Sequence, residues 1–180
     1  MKTLRRRIAN HLLAKLARML PGATSVRPAL HRLRGVKIGK DVFIGEDCFL
    51  ENEFPELIEI GDHTALAPRV MVVCHVGRTD QKEGVLSGRV VIGQNVFIGV
   101  AAILAVSPKS VLTIGDGAVI GAGTVIVNRP VARQTLVAPA PYHEIARALI
   151  PFPVARSYEQ FVNGLRPYRE PRIKLSKESR

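Results

Sequence analysis

An aliphatic residue recurs every six positions through most of the middle of this chain. Read from Ile38, the lines are I-G-K-D-V-F, I-G-E-D-C-F and L-E-N-E-F-P, and the pattern returns through I-G-Q-N-V-F-I-G and I-G-D-G-A-V-I-G-A-G-T-V. Twelve openers keep it: Ile38, Ile44, Leu50, Ile60, Leu66, Val72, Ile92, Ile98, Leu104, Ile114, Ile120 and Ile126. A period of six suits neither an α-helix at 3.6 nor a plain strand at 2. It suits a solenoid in which each hexad is one short strand and one corner, three hexads close a triangular coil, and stacked coils share one core.

The interruptions are ordered as well. Ten residues separate Leu50 from Ile60 and Leu104 from Ile114, and twenty separate Val72 from Ile92. A strict repeat needs six, so the insertions are four, four and fourteen residues, each after the third hexad of a coil. The glycines that follow an opener (Gly39, Gly45, Gly61, Gly93, Gly99, Gly115, Gly121) all lie in first or second hexads, whereas third hexads carry Glu51, Val73, Ala105 and Val127. One edge of the prism therefore collects the loops. Loops set side by side on a rigid scaffold are where binding and chemistry concentrate.

Charge divides the chain into three parts. Residues 1–34 hold nine Lys or Arg and no Asp or Glu, and residues 35–141 are near neutral. Residues 142–180 are basic again, and the whole chain carries +11. The expected organisation is a basic amphipathic helical arm at 1–35, a β-solenoid at 36–141, and a short helix over 142–150 leading into an irregular, proline-punctuated tail to 180. In the arm, Ile8, Leu12, Leu16 and Leu20 form one stripe and Pro21-Gly22 ends the segment. That stripe either caps the open end of the solenoid or rests on an anionic membrane as a peripheral contact. Aromatic content of 5% and the lack of a recognition motif argue against a nucleic-acid partner. Cys48 and Cys74 fit neither a disulfide framework nor a zinc spacing, which points to a cytoplasmic-type protein; Cys48, at an inward position, reads as a buried small hydrophobe.

The stretches at 92–99, 114–125 and the coil-ending V-A-P-A-P-Y-H-E-I at 137–145 resemble the hexapeptide-repeat acyltransferases, left-handed parallel β-helices, and among them the sugar and antibiotic O-acetyltransferases. Left-handedness is implied by the resemblance alone, since β crossovers are generally right-handed. The resemblance implies acetyl-CoA as co-substrate, no metal, a homotrimer with sites between neighbouring prisms, and a saccharide acceptor, free or lipid-linked. It also implies a general-base histidine on the looped edge, and His75, just before the longest insertion, is the residue in that segment. Imidazole can take a proton from a hydroxyl as the oxygen attacks a thioester. The other histidines lie in the arm (His11, His31), in a regular first hexad (His63) or in the closing segment (His143).

By column counting, Glu53 falls beside His75 and could orient its ring or meet acceptor hydroxyls, with Asn52 and Arg78 as further acceptor contacts. Carried over position by position, the resemblance places coenzyme A along Val100, Ala122 and the corner at Asn128 and Arg129. Val-Asn at 127–128 replaces the family's Thr-Lys, and P-A-P-Y-H at 139–143 replaces its G-N-P-A-K. A noncatalytic scaffold therefore stays open, as does N-acetylation of an amino sugar or a serine-type acceptor. A γ-class carbonic anhydrase is disfavoured because three histidines do not fall on neighbouring coil edges. Cys74 as a nucleophile is disfavoured because adjacent strand residues face opposite ways.

Overall fold

In the computed structural model, residues 4–76, 86–139, 144–148, 160, 163 and 165–172 are described. They form two compact units, residues 1–139 and 140–180. The first unit is a three-sided left-handed parallel β-helix preceded by two helices, α1 (Leu4–Met19) and α2 (Val26–Arg34). Face one stacks Lys37–Ile38, Ile58–Ile60, Arg89–Ile92 and Val111–Ile114 in parallel. Face two stacks Phe43–Ile44, Ala65–Leu66, Phe97–Ile98, Val119–Ile120 and Leu136–Val137. Face three stacks Phe49–Leu50, Met71–Val73, Ile103–Ala105 and Val125–Val127.

The register is the one the hexads require. Ile38, Ile60, Ile92 and Ile114 are direct partners on face one. Ile44, Leu66, Ile98 and Ile120 align on face two, and Leu50, Val72, Leu104 and Ile126 on face three. All but Ile38 are buried, so the core is three aliphatic columns meeting along the prism axis. Burying one such side chain contributes about 1.5–3 kcal/mol. Coil corners hold residues in the left-handed region, among them Asp41, Asn95, Gly117 and Gly123. Glycine after the opener has a different cause: a Cβ on Gly99 would lie 2.5 Å from the Ala122 amide nitrogen, and one on Gly61 2.6 Å from that of Gln94. The coils stack too closely there for any side chain.

The two helices cap the first coil, through different atoms than the apolar stripe suggested. Three arginines satisfy carbonyls on the three faces: Arg32 donates to Ile38 O and Gly39 O, Arg27 to Ile44 O, and Arg34 to Leu50 O and Glu51 O. The Ile44 amide donates to Ala23 O. The residues of α1 that are buried are Asn10, Ala14 and Ala17, while Ile8, Leu12 and Leu16 are exposed. The expected packing of the stripe against the coil is thus corrected. Small residues allow close approach, and the large ones point away.

The expected helix over 142–150 is also corrected. Glu144–Ala148 is a strand paired antiparallel with Leu165–Arg172, which contains Pro167 and Pro171 from the tail read as irregular. In so short a segment periodicity does not separate helix from strand, and a partner strand further along the chain decides. Proline is tolerated in an edge strand of a two-stranded ribbon.

Candidate active site on the looped edge

The three insertions emerge between face three and face one. The first contains a 3-10 turn at Pro55–Leu57; the second pairs His75–Val76 antiparallel with Leu86–Ser87; the third runs through Ser107–Ser110. Only the buried Cys74 separates His75 from the face-three strand Met71–Val73, so the core column through Val72 fixes the backbone that carries it.

His75 is paired with Glu51. Its Nδ1–H donates to Glu51 Oε2 at 2.7 Å; the same oxygen accepts from the Cys74 amide at 3.0 Å, and Oε1 accepts from the Glu53 amide at 2.8 Å. Glu51 is 0% exposed and His75 28%. Burial pushes the Glu51 carboxyl up, but hydrogen bonds from His75 and the two amides outweigh it and hold the group below its usual range. A carboxylate at that position fixes the proton on Nδ1 and leaves Nε2 as the basic nitrogen. The Phe54 ring meets the imidazole edge-on, with centroids 6.2 Å apart.

Behind this pair lies a buried cation. Arg34, from the end of α2, donates through Nη2 to Leu50 O (3.0 Å), Glu51 O (2.6 Å) and Asn52 Oδ1 (3.0 Å). Its Nη1 donates to His31 Nδ1 at 2.9 Å, so His31 accepts and is neutral. Burial pushes the His31 pKa down to about 3, and the Arg34 charge adds to the shift. Arg34 is lowered to about 10 by burial, against the opposing pull of Glu51, and stays charged at neutral pH.

The expected site residues separate into groups. His75 stands on the looped edge, but its carboxylate is Glu51, and Glu53 instead pairs with Arg7 of α1 at 3.1 Å, with His11 at 3.9 Å. Asn52 is adjacent, its amide oxygen committed to Arg34. Arg78 lies outside the described residues. Val100 and Ala122 occupy stacked corners between faces two and three, joined where Gly123 N donates to Val100 O at 2.8 Å. Asn128 and Arg129 fall on the looped edge, Arg129 exposed and Asn128 bonded to the Ser107 amide and hydroxyl. Cys74 is fully buried, its thiol pushed up to about 12 by burial and by Glu51, so it is no nucleophile. Cys48 is buried too, as expected. Among the described residues no cluster of His, Cys, Asp and Glu could hold a metal ion.

Glu51 and Arg34 were missed. The signal for Glu51 was present: it is the one charged residue following an opener, where the other third hexads have Val or Ala.

These features define a hexapeptide-repeat left-handed β-helix with a histidine–carboxylate pair on its decorated edge. Solved acetyltransferases share the fold. A maltose O-acetyltransferase from Clostridium difficile 630 superposes with a TM-score of 0.55 at 22% identity, over 76% of this chain and 82% of that one. A hexapeptide-repeat acetyltransferase from Vibrio cholerae O1 biovar eltor, complexed with acetyl coenzyme A, gives 0.54 at 21%, over 76% and 84%. A galactoside acetyltransferase in complex with coenzyme A gives 0.52 at 20%, over 76% and 78%. No protein-family model and no curated protein matches the chain.

Proposed function

We propose that this protein is an acetyl-CoA-dependent O-acetyltransferase acting on a hydroxyl of a saccharide, with His75 as general base. The observation that carries the reading is the His75–Glu51 pair on the looped edge of this fold. Solved structures with the same architecture include enzymes named for maltose and galactoside acetylation, and one was determined with acetyl coenzyme A.

In the reaction, His75 Nε2 removes the acceptor hydroxyl proton as the oxygen attacks the thioester carbonyl carbon. Collapse of the tetrahedral intermediate breaks the carbon–sulfur bond, and the imidazolium returns the proton to the departing thiolate. The products are the acetyl ester and the free coenzyme A thiol. Glu51 stabilises the transient imidazolium through Nδ1–H and keeps the ring in one orientation. Val100 and Ala122, at exposed corners, would line the coenzyme arm, and Arg129 is the exposed cation suited to a phosphate. Asn128, bonded to Ser107, would shape that corner. Asn52 and Arg78 would meet the acceptor, and Glu53, held by Arg7, would border it.

Thiol release from acetyl-CoA, measured against a panel of free and lipid-linked sugars, tests the reading. Acceptor-dependent release supports it, and no release with any acceptor returns the chain to the noncatalytic scaffold.

A further inference from the structure

Helix α1 is held by one face, against α2 and the edge of the first coil, and leaves the other bare. Asn10, Ala14 and Ala17 are buried at i, i+4 and i+7, while Arg7 and Arg18 are tied to Glu53 and Asp47. The opposite face carries Leu4, Ile8, Leu12, Leu16 and Met19, all exposed, Leu12 at 57% and Met19 at 81%. A surface helix ordinarily turns such a row toward the core. Exposed Arg5 and Lys15 lie among these side chains, and no Asp or Glu occurs anywhere in residues 1–34.

We propose that the outer face of α1 lies in the interface of an anionic lipid bilayer. The helix is 16 residues long, about 24 Å at 1.5 Å per residue, and it is pinned along its inner face, so it can lie on a membrane without crossing it. The apolar row enters the acyl boundary, and the stems of Arg5 and Lys15 follow it while their charged ends reach lipid phosphates. Charge selects this occupant over a second copy. Two such faces would set Arg5 and Lys15 against their own copies, with no acidic residue in either helix to offset them. Anionic headgroups supply the opposite sign.

The same docking narrows the acceptor, an extension that rests on the acetyltransferase reading. Arg7 joins α1 to Glu53, two residues from the carboxylate that holds His75. A docked α1 brings the looped edge to headgroup level, where the acceptor would be a membrane-held, lipid-linked saccharide.

The test is co-sedimentation of the full chain with vesicles of phosphatidylcholine, with and without phosphatidylglycerol. The protein should pellet only with the anionic vesicles. Leu12→Glu with Leu16→Glu should abolish pelleting, and Arg5→Gln with Lys15→Gln should lower partition by roughly thirtyfold, at about 1 kcal/mol per basic residue. Should the glutamate pair fail to fold, the glutamine pair, at exposed positions, still decides the question. Wild-type protein left in the supernatant with anionic vesicles at low salt would overturn the proposal. So would a glutamate variant that pellets normally, or one whose only change is a smaller mass by light scattering, which would assign the face to a second copy. Vesicle binding needs no turnover, so its presence without thiol release would sink the acetyltransferase reading alone. Equal turnover on free and vesicle-borne acceptors would remove the lipid-linked class.

Discussion

His75 and Glu51 make separable predictions. His75→Ala removes the proposed proton acceptor but not the aliphatic columns, so turnover should fall by about 10²- to 10⁴-fold, with only a modest drop in melting temperature as buried Glu51 loses one of its three donors. Glu51→Gln should also lower turnover, by roughly tenfold or more, because a neutral amide no longer stabilises the imidazolium. Glu53→Gln should retain most activity, since its partner is Arg7. Steady-state thiol release on the three variants checks the order; equal losses at 51 and 53 would refute it. Glu53 and His75 hold the same position in their hexads, four residues in, where the strand of the first coil no longer runs. The ladder fixes side-chain direction only as far as the strands run, and face three has already ended at Leu50 in that coil. Beyond it, hydrogen bonds from the Cys74 and Glu53 amides turn Glu51 inward.

The strands of the prism were readable because each residue's fate repeats coil after coil. All twelve openers align as written, and the inserted loops share one edge. The cap was less legible. An amphipathic stripe reads as a core-facing surface, and here solvated-looking arginines of α2 perform the capping instead. His31 gives the cap a pH signature. A base whose folded pKa is depressed binds fewer protons folded than unfolded, so its contribution is whole above about pH 6.5 and is lost as the pH falls toward about 3. The full effect is on the order of 4–5 kcal/mol at about 1.4 kcal/mol per pKa unit. Thermal melts should drop through that window, and His31→Gln, which keeps an acceptor for Arg34, should flatten the drop. The glycine positions offer a second check on the elements. Gly99→Ala forces a Cβ against backbone of the next coil and should destabilise by about 1–3 kcal/mol in denaturant melts, with no effect expected from the polarity change.

At the scale of the molecule, the three faces differ in what they show to solvent. Face one is charged, with Glu59 bridging Lys37 and Arg89. Face two presents Phe43, Ala65, Phe97, Val119 and Leu136, and face three presents Phe49, Met71, Ile103 and Val125. Two apolar faces meeting at one edge suit a threefold arrangement in which each prism lays one of them against its neighbour. Light scattering should therefore give three times the chain mass of 19.7 kDa, and Phe97→Glu should shift it toward one chain mass. A wild-type monomer at all concentrations would refute the trimer. Arg34 has a consequence of another kind. The side chain that closes the solenoid's first coil also grips the carbonyls beneath the Glu51–His75 pair. The end seal and the segment bearing the buried carboxylate are thus built as one, held by a single guanidinium. On the acetyltransferase reading proposed above, docking of the amino-terminal helices would then be a step in finishing the site as well as in closing the stack.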